Sequence, residues 1–360
     1  MKFDAPENSV EAITWARFKD EFDKEMETRA SSRKTCISYN QAWKFFKRWF
    51  ERCGPTVPLG LNKDHLRDFV RFLRQHRITR RLAPASLPAQ PRPLSPHSIA
   101  GHARHLRAIL NFGRKSLGCI RLDAESVSAG LVTGKLPRLM PVALRPEQLR
   151  SILRAAAAHD RSSGELMFPF LAFLMISGAR RGEALALRFE PSTTGAAESW
   201  LDLDRGMVVI WGNKTARQRV LPLTTRPQLG RVLKALLDNR NQATEYVFAG
   251  GALPPGNAGD MLGTAFKTAL EDIKKSSGVR FRLKDFRSTC ATAIANSNVL
   301  GGNLYTLAGE LGPAVEVLQK HYASHVAITP EIAAAKTVEA ALGIEADVAS
   351  WIAGQGIGQR

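Results

Sequence analysis

Along the first third of the chain, apolar residues return every third or fourth position. Trp15, Phe18, Phe22 and Met26 form one such stripe; Tyr39, Trp43, Phe46 and Phe50 form a second, inside a helix expected from Arg33 to Cys53. Leu66, Phe69, Val70 and Leu73 make a third, and Ile99, Ala103, Leu106, Ile109 and Leu110 a fourth. This spacing buries one face of an α-helix and leaves the other to water. The flanks supply ends. Asn8-Ser9-Val10-Glu11 has the form of a capping box, Gly54-Pro55 stops the second helix, Asn62 caps the third, and Ser95-Pro96 opens a fourth that Gly118 can close. Prolines at 84, 88, 91 and 93 make Arg81 to Leu94 an exposed connector. The pattern predicts a helical domain over residues 8–120.

Periodicity weakens over 121–141, which is small, Gly-containing and broken by Pro137 and Pro141, and reads as a linker. A second domain is expected over 142–343, with 344–360 as a tail. Arg145-Pro146-Glu147 opens a helix there, and Leu166 to Ile176 is apolar throughout, as a buried helix would be. A Ser177-Gly178 break follows, then a helix with apolar residues at 184, 185 and 187, so that Arg180 stands at a corner backed by core on both sides. The period then shortens to two in Trp200–Asp204, Met207–Trp211 and Gln218–Leu223, predicting an antiparallel meander with Lys214 near a hairpin tip. Helices resume after Pro227, around Met261 to Lys274, and from Arg282 onward. Thr329-Pro330-Glu331 and Gly343 bracket an alanine-rich helix with Ile332, Val338 and Leu342 as its contacts. The fold class is mainly α with a small antiparallel β-sheet: a helical N-terminal domain followed by an α+β domain.

Charge changes the picture. Lys and Arg number 51 against 33 Asp and Glu, a formal +18 on 360 residues. An excess of that size points to a polyanion, most simply nucleic acid. No run of 18 apolar residues exists, and Met1 to Val10 lacks a signal-peptide layout, so no membrane partner is expected. Cysteines 36, 53, 119 and 290 and the eight histidines show no metal-ligand spacing; a reduced, intracellular setting and no metal follow. Gly130-Leu-Val-Thr-Gly134-Lys135 falls one residue short of a phosphate-binding P-loop, so no nucleotide cofactor is invoked. On the fourth helix, Arg104, Arg107, Arg114 and Lys115 lie mainly off the buried stripe, where they could neutralise DNA phosphates.

Several motifs carry chemistry. Ser177-Gly178-Ala179-Arg180-Arg181-Gly182-Glu183 presents an arginine at a supported corner. Lys214 stands eight residues before Pro222, and Lys284-Asp285-Phe286-Arg287 offers two cations three apart. Tyr322 lies 35 residues after Arg287 and is followed by Ala-Ser-His. Taken in this order, the motifs resemble those of the tyrosine recombinase (phage integrase) family. The resemblance implies a SAM-like helical core-binding domain and a catalytic domain of the DNA breaking-rejoining type. It also implies the roles: Tyr322 as nucleophile forming a 3′-phosphotyrosine link, Arg180 and Arg287 as a phosphate clamp, and Lys214 as general acid. Lys284 would assist, and Glu183 would orient the site from behind. No cofactor is implied. The implied partner is double-stranded DNA, with self-assembly into a tetramer on it, in the cytoplasm of a bacterium or as a phage-encoded protein at the nucleoid.

The pattern departs from the family at Pro313, nine residues before Tyr322, where a His or Trp donor is usual. Proline brings neither a side-chain donor nor an N–H. A catalytically impaired DNA-binding relative therefore stands beside a site-specific recombinase, and a type IB topoisomerase, which shares the same chemistry, is a further alternative. Of the other tyrosines, Tyr39 belongs to a helix stripe, Tyr246 precedes a buried-looking Val-Phe, and Tyr305 is expected to face the core. The helix after Tyr322 is expected either to dock on a neighbouring protomer or to pack inward.

Overall fold

The computed structural model describes residues 13–78, 91–136, 142–193, 197–212, 216–240, 244–250, 253, 263–313, 315–321 and 329–355. It divides into two compact units, Met1–Arg138 and Leu139–Arg360.

The first unit is built from α1 (Trp15–Thr28), α2 (Arg33–Cys53), α3 (Lys63–Gln75), α4 (Pro96–Lys115) and α5 (Ala124–Gly130). A two-residue antiparallel pairing of β1 (Arg77–Ile78) with β2 (Arg92–Pro93) closes the ends of the connector. The expected cap at Asn8–Glu11 lies outside the described residues; α1 is capped by Thr14, whose hydroxyl accepts the Arg17 N–H at 3.2 Å. Asn62 caps α3 through the His65 N–H at 2.9 Å. The α1, α3 and α4 stripes are buried as predicted, whereas on α2 Trp49 takes the inner position and Phe50 is only partly covered.

The segment read as a linker is instead partly core. Asp123 caps α5 through the Ser126 N–H, and Val127 and Leu131 enter the first unit's hydrophobic cluster. Gly130 packs so closely on α3 that a Cβ there would stand 2.7 Å from the Leu66 Cβ. A helix of seven residues with one apolar turn leaves too short a periodic signal to find from sequence.

The second unit opens with α6 (Pro146–Ser163) and α7 (Met167–Ser177), every residue of α7 being buried. Then come α8 (Arg181–Leu185) and a sheet of β3 (Leu187–Arg188), β4 (Ser199–Asp202), β5 (Met207–Gly212) and β6 (Arg217–Pro222) in that spatial order. The expected antiparallel meander is β4-β5-β6; the short β3 adds a parallel edge. Next follow α9 (Pro227–Asp238), α10 (Thr264–Ser277), α11 (Leu283–Ala295), α12 (Leu304–Leu311) and α13 (Val315–His321).

The alanine-rich helix is divided into α14 (Pro330–Ala334) and α15 (Val338–Leu342), because Thr337 caps a new start through the Ala340 N–H at 3.2 Å. It packs inward: Val338, Ala341 and Leu342 are buried. The expected tail also folds, as α16 (Glu345–Gly354). Val348 and Ile352 are buried, and Trp351 stacks on Phe168 with centroids 4.8 Å apart. No helix among the described residues is long and apolar enough to cross a membrane.

Candidate active site

Gly178 ends α7 in the left-handed conformation (φ 59°), and a Cβ there would stand 2.6 Å from Leu311 Cδ2. Glycine is therefore required twice, by backbone and by space. The turn delivers Arg180 to the N-cap of α8. Glu183, three residues on, reaches back to accept from the Arg180 backbone N–H and from its guanidinium, both at 2.7 Å. The acid thus caps the helix and holds the arginine side chain, which keeps 37% of its surface exposed while the Glu183 side chain keeps 4%.

The second arginine box uses the same device. Asp285, buried at the third position of α11, accepts from the Arg282 backbone N–H at 2.9 Å and from its guanidinium. Two residues further, Arg287 donates Nη1 to the Gly178 carbonyl at 2.7 Å and Nη2 to the Leu311 carbonyl. Arg287 and Arg180 are 107 positions apart in sequence, yet one grips the carbonyl of Gly178 and the other follows it by two residues. Lys284 is exposed at the start of α11, and Pro313 is half-buried just after Leu311-Gly312.

Behind these groups lie charges that the sequence reading did not single out. Arg219 of β6 donates Nη2 to Glu183 Oε2 at 2.8 Å, so one carboxylate serves two guanidinium groups. Burial works to raise the Glu183 pKa, but the hydrogen bond and charge of Arg219, with the donors of Arg180, bring it below the ordinary carboxylate value. Arg226 is fully buried. Its guanidinium reaches the Ile176 carbonyl (3.3 Å), the Pro222 carbonyl (3.2 Å), the Thr225 hydroxyl (2.8 Å) and the Glu310 carboxylate. Ile176 and Glu310 closely precede the two carbonyls that hold Arg287. Arg226 therefore fixes the frame of that site. Glu339, also buried, accepts the Leu229 N–H at 2.9 Å, and the Val338 N–H donates to the Thr225 carbonyl at 2.9 Å. Both α12 and α15 are thus tied to the short stretch from Thr225 to Leu229. Burial pushes the Cys290 thiol up to about 12, so it is a packed, inert group.

A sequence signal for Arg219 existed. Arg219 and Leu221 alternate with exposed residues along β6, and buried Leu223 continues the period just past its end, so the period alone places the arginine inside.

Lys214 and Tyr322 lie outside the described residues. The remaining tyrosines are described. Tyr39 packs edge-on against Phe22, and Tyr246 lies under the Arg188 guanidinium. Tyr305, expected in the core, is 78% exposed. Leu304, Leu307 and Leu311 set the inward stripe of α12, and Tyr305 falls off it. On α4, Arg104 and Lys115 are exposed, while Arg107 and Arg114 are half-buried, each with a buried Nε that meets no acceptor among the described residues. No cluster of three or more His, Cys, Asp or Glu able to hold a metal occurs among the described residues.

Residues 143–301 match the phage integrase family. Comparison with curated protein sequences gives no match. Among solved structures, the chain is similar to a lambda integrase dimer bound to a COC′ core site. The TM-score is 0.60 at 16% identity, over 88% of this chain and 79% of that one. It is similar also to a lambda integrase tetramer bound to a Holliday junction, with TM-score 0.60 at 16% identity, over 90% and 82%. A third similar structure is the XerH site-specific recombinase bound to palindromic difH substrate, with TM-score 0.51 at 15% identity, over 86% and 81%. Residues 143–301 thus carry a segment that matches the phage integrase family, and the fold is similar to that of lambda integrase.

Proposed function

We propose that the protein is a site-specific DNA recombinase that cuts and rejoins strands through a 3′-phosphotyrosine intermediate. The observation that carries this is the convergence of Arg180 and Arg287 on the Gly178 turn, each held by its own support. A phosphodiester resists attack because its non-bridging oxygens repel a nucleophile. Two guanidinium groups on those oxygens would neutralise that charge and stabilise the pentavalent transition state. Tyr322 attacks phosphorus in line, conserving the bond energy for rejoining, and Lys214 delivers a proton to the departing 5′-oxygen. Lys284 assists at the phosphate. Glu183 acts through Arg180, as its contacts suggest. The chemistry needs no metal or nucleotide. Arg104, Arg107, Arg114 and Lys115 contact the DNA backbone, and several protomers assemble on the DNA, as the lambda integrase tetramer does on a Holliday junction.

Incubation with nicked duplexes tests the nucleophile. Wild type is expected to form a covalent protein–DNA adduct, Tyr322→Phe to form none, and Tyr305→Phe to behave as wild type. The exposure of Tyr305 makes that control necessary. An adduct that survives in Tyr322→Phe and disappears in Tyr305→Phe reverses the assignment.

A further inference from the structure

Arg219 is 7% exposed. A guanidinium that deep is ordinarily given a carboxylate of its own and a partner for every donor. Arg219 has neither. Its acid, Glu183, is shared with Arg180, and its Nε, also buried, meets no acceptor among the described residues. Its Cδ lies 3.9 Å from where a Cβ on Gly312 would stand, which sets the side chain beneath the Gly312-Pro313 corner. Pro313 gives that corner no donor of its own. The protein thus holds a buried guanidinium that shares its carboxylate behind a corner to which Pro313 brings no donor.

On the strand-transfer reading above, we propose that Arg219 is a positioning residue of the phosphate site with two effects. It pins Glu183 from the inner face of the sheet, so that Glu183 can hold Arg180 in place. It also adds positive charge behind the donor-poor corner at Pro313. A buried charge acts over several ångströms because little water screens it, and an incoming phosphate supplies the missing counter-charge. Both effects grow as negative charge builds on the non-bridging oxygens, so the chemical step gains more than DNA binding does.

The test uses the full-length protein and a nicked duplex under single-turnover conditions at saturating protein, with DNA affinity and melting temperature measured in parallel. Arg219→Met keeps length and removes charge; Arg219→Lys keeps charge and removes the fork. Each is made alone and with Pro313→His, which returns a donor to the corner. Arg219→Met is expected to slow cleavage about tenfold to a hundredfold while DNA affinity changes less than about threefold. Pro313→His is expected to restore at least about tenfold of that loss. Cleavage within about threefold of wild type, or a loss that Pro313→His leaves untouched, overturns the proposal. Where Arg219→Met does not fold, Arg219→Lys decides: it is expected to cleave about threefold to tenfold slower and to be relieved by Pro313→His. No slowing, or no relief, again overturns the proposal. Failure of wild type to form any adduct removes the strand-transfer reading and this proposal with it. A normal wild-type adduct with undiminished Arg219→Met cleavage removes this proposal alone.

Discussion

The two units bury different things. Every buried polar or charged residue among the described residues lies in the second unit, including Glu183, Arg219, Arg226, Asp285, Glu310 and Glu339. The first unit buries rings: Trp15 meets Phe18, Trp43, Phe46 and Phe50, and Phe46 and Trp49 continue the stack to Phe69. Apolar packing is non-directional; it makes a stable scaffold but aims no particular atom. Buried charges have directional partners, and here those partners are the carbonyls and carboxylates around Arg180 and Arg287. The first unit is organised for stability and surface charge, the second for the placement of a few atoms.

The contrast is sharpest in catalysis. Arg287→Ala is expected to lower cleavage about 10³-fold or more, since on the proposed reading it removes a guanidinium from the reacting phosphate. Phe69→Ala, in the first unit, is expected to leave the cleavage rate of the bound complex unchanged. Comparable rate losses from both variants would erase the distinction.

Stability gives the next test. Arg226→Met leaves the Glu310 carboxylate buried without its partner and is expected to destabilise by about 3–5 kcal/mol in denaturant unfolding. The double variant Arg226→Met/Glu310→Leu is expected to recover most of that, because no charge is stranded. Phe46→Ala should destabilise by about 3–5 kcal/mol as well. Only the Arg226 variants are expected to slow cleavage, since only they loosen the Ile176 and Glu310 frame. Recovery of stability without recovery of rate in the double variant would separate scaffold from placement.

Surface charge on the first unit gives a smaller effect. Replacing Arg104, Arg107, Arg114 and Lys115 with alanine should flatten the plot of log affinity against log salt by about 0.9 for each DNA phosphate that these side chains neutralise. An unchanged slope would remove α4 from the DNA-facing surface. The smallest effect concerns pH. Burial raises the Asp160 carboxyl to about 6, against the hydrogen bonds it accepts from the Met167 and Phe168 N–H groups. A raised acid binds its proton more tightly when folded. Its contribution to stability is therefore full below the ordinary value of 3.8 and is lost as pH rises through about 6. Asp160→Asn cannot ionise, so the decline in melting temperature across that window should flatten.

What the sequence disclosed follows the same division. The stripes on α1, α3 and α4 could be read because an amphipathic helix writes its burial in its period, and the span of α2 matched from Arg33 to Cys53. The box around Arg180 was legible as a Ser-Gly break between two apolar helices, and the one around Arg287 as two cations three positions apart. Arg226 and Glu310 were not, since their partnership spans 84 positions and depends on two helix ends meeting. The helices α5 and α16 were missed because short segments carry too few turns to show a period, and Tyr305 was misplaced by reading one residue without its stripe.

The central claim is that Arg180 and Arg287 act by neutralising charge on one DNA phosphate. Cleavage by the Arg287→Ala variant of a nicked duplex carrying an uncharged methylphosphonate at the reacting position tests it most directly. Rescue of at least about tenfold relative to the ordinary phosphodiester is the expected result. An equal defect on both substrates would show that Arg287 serves the fold and not the phosphate.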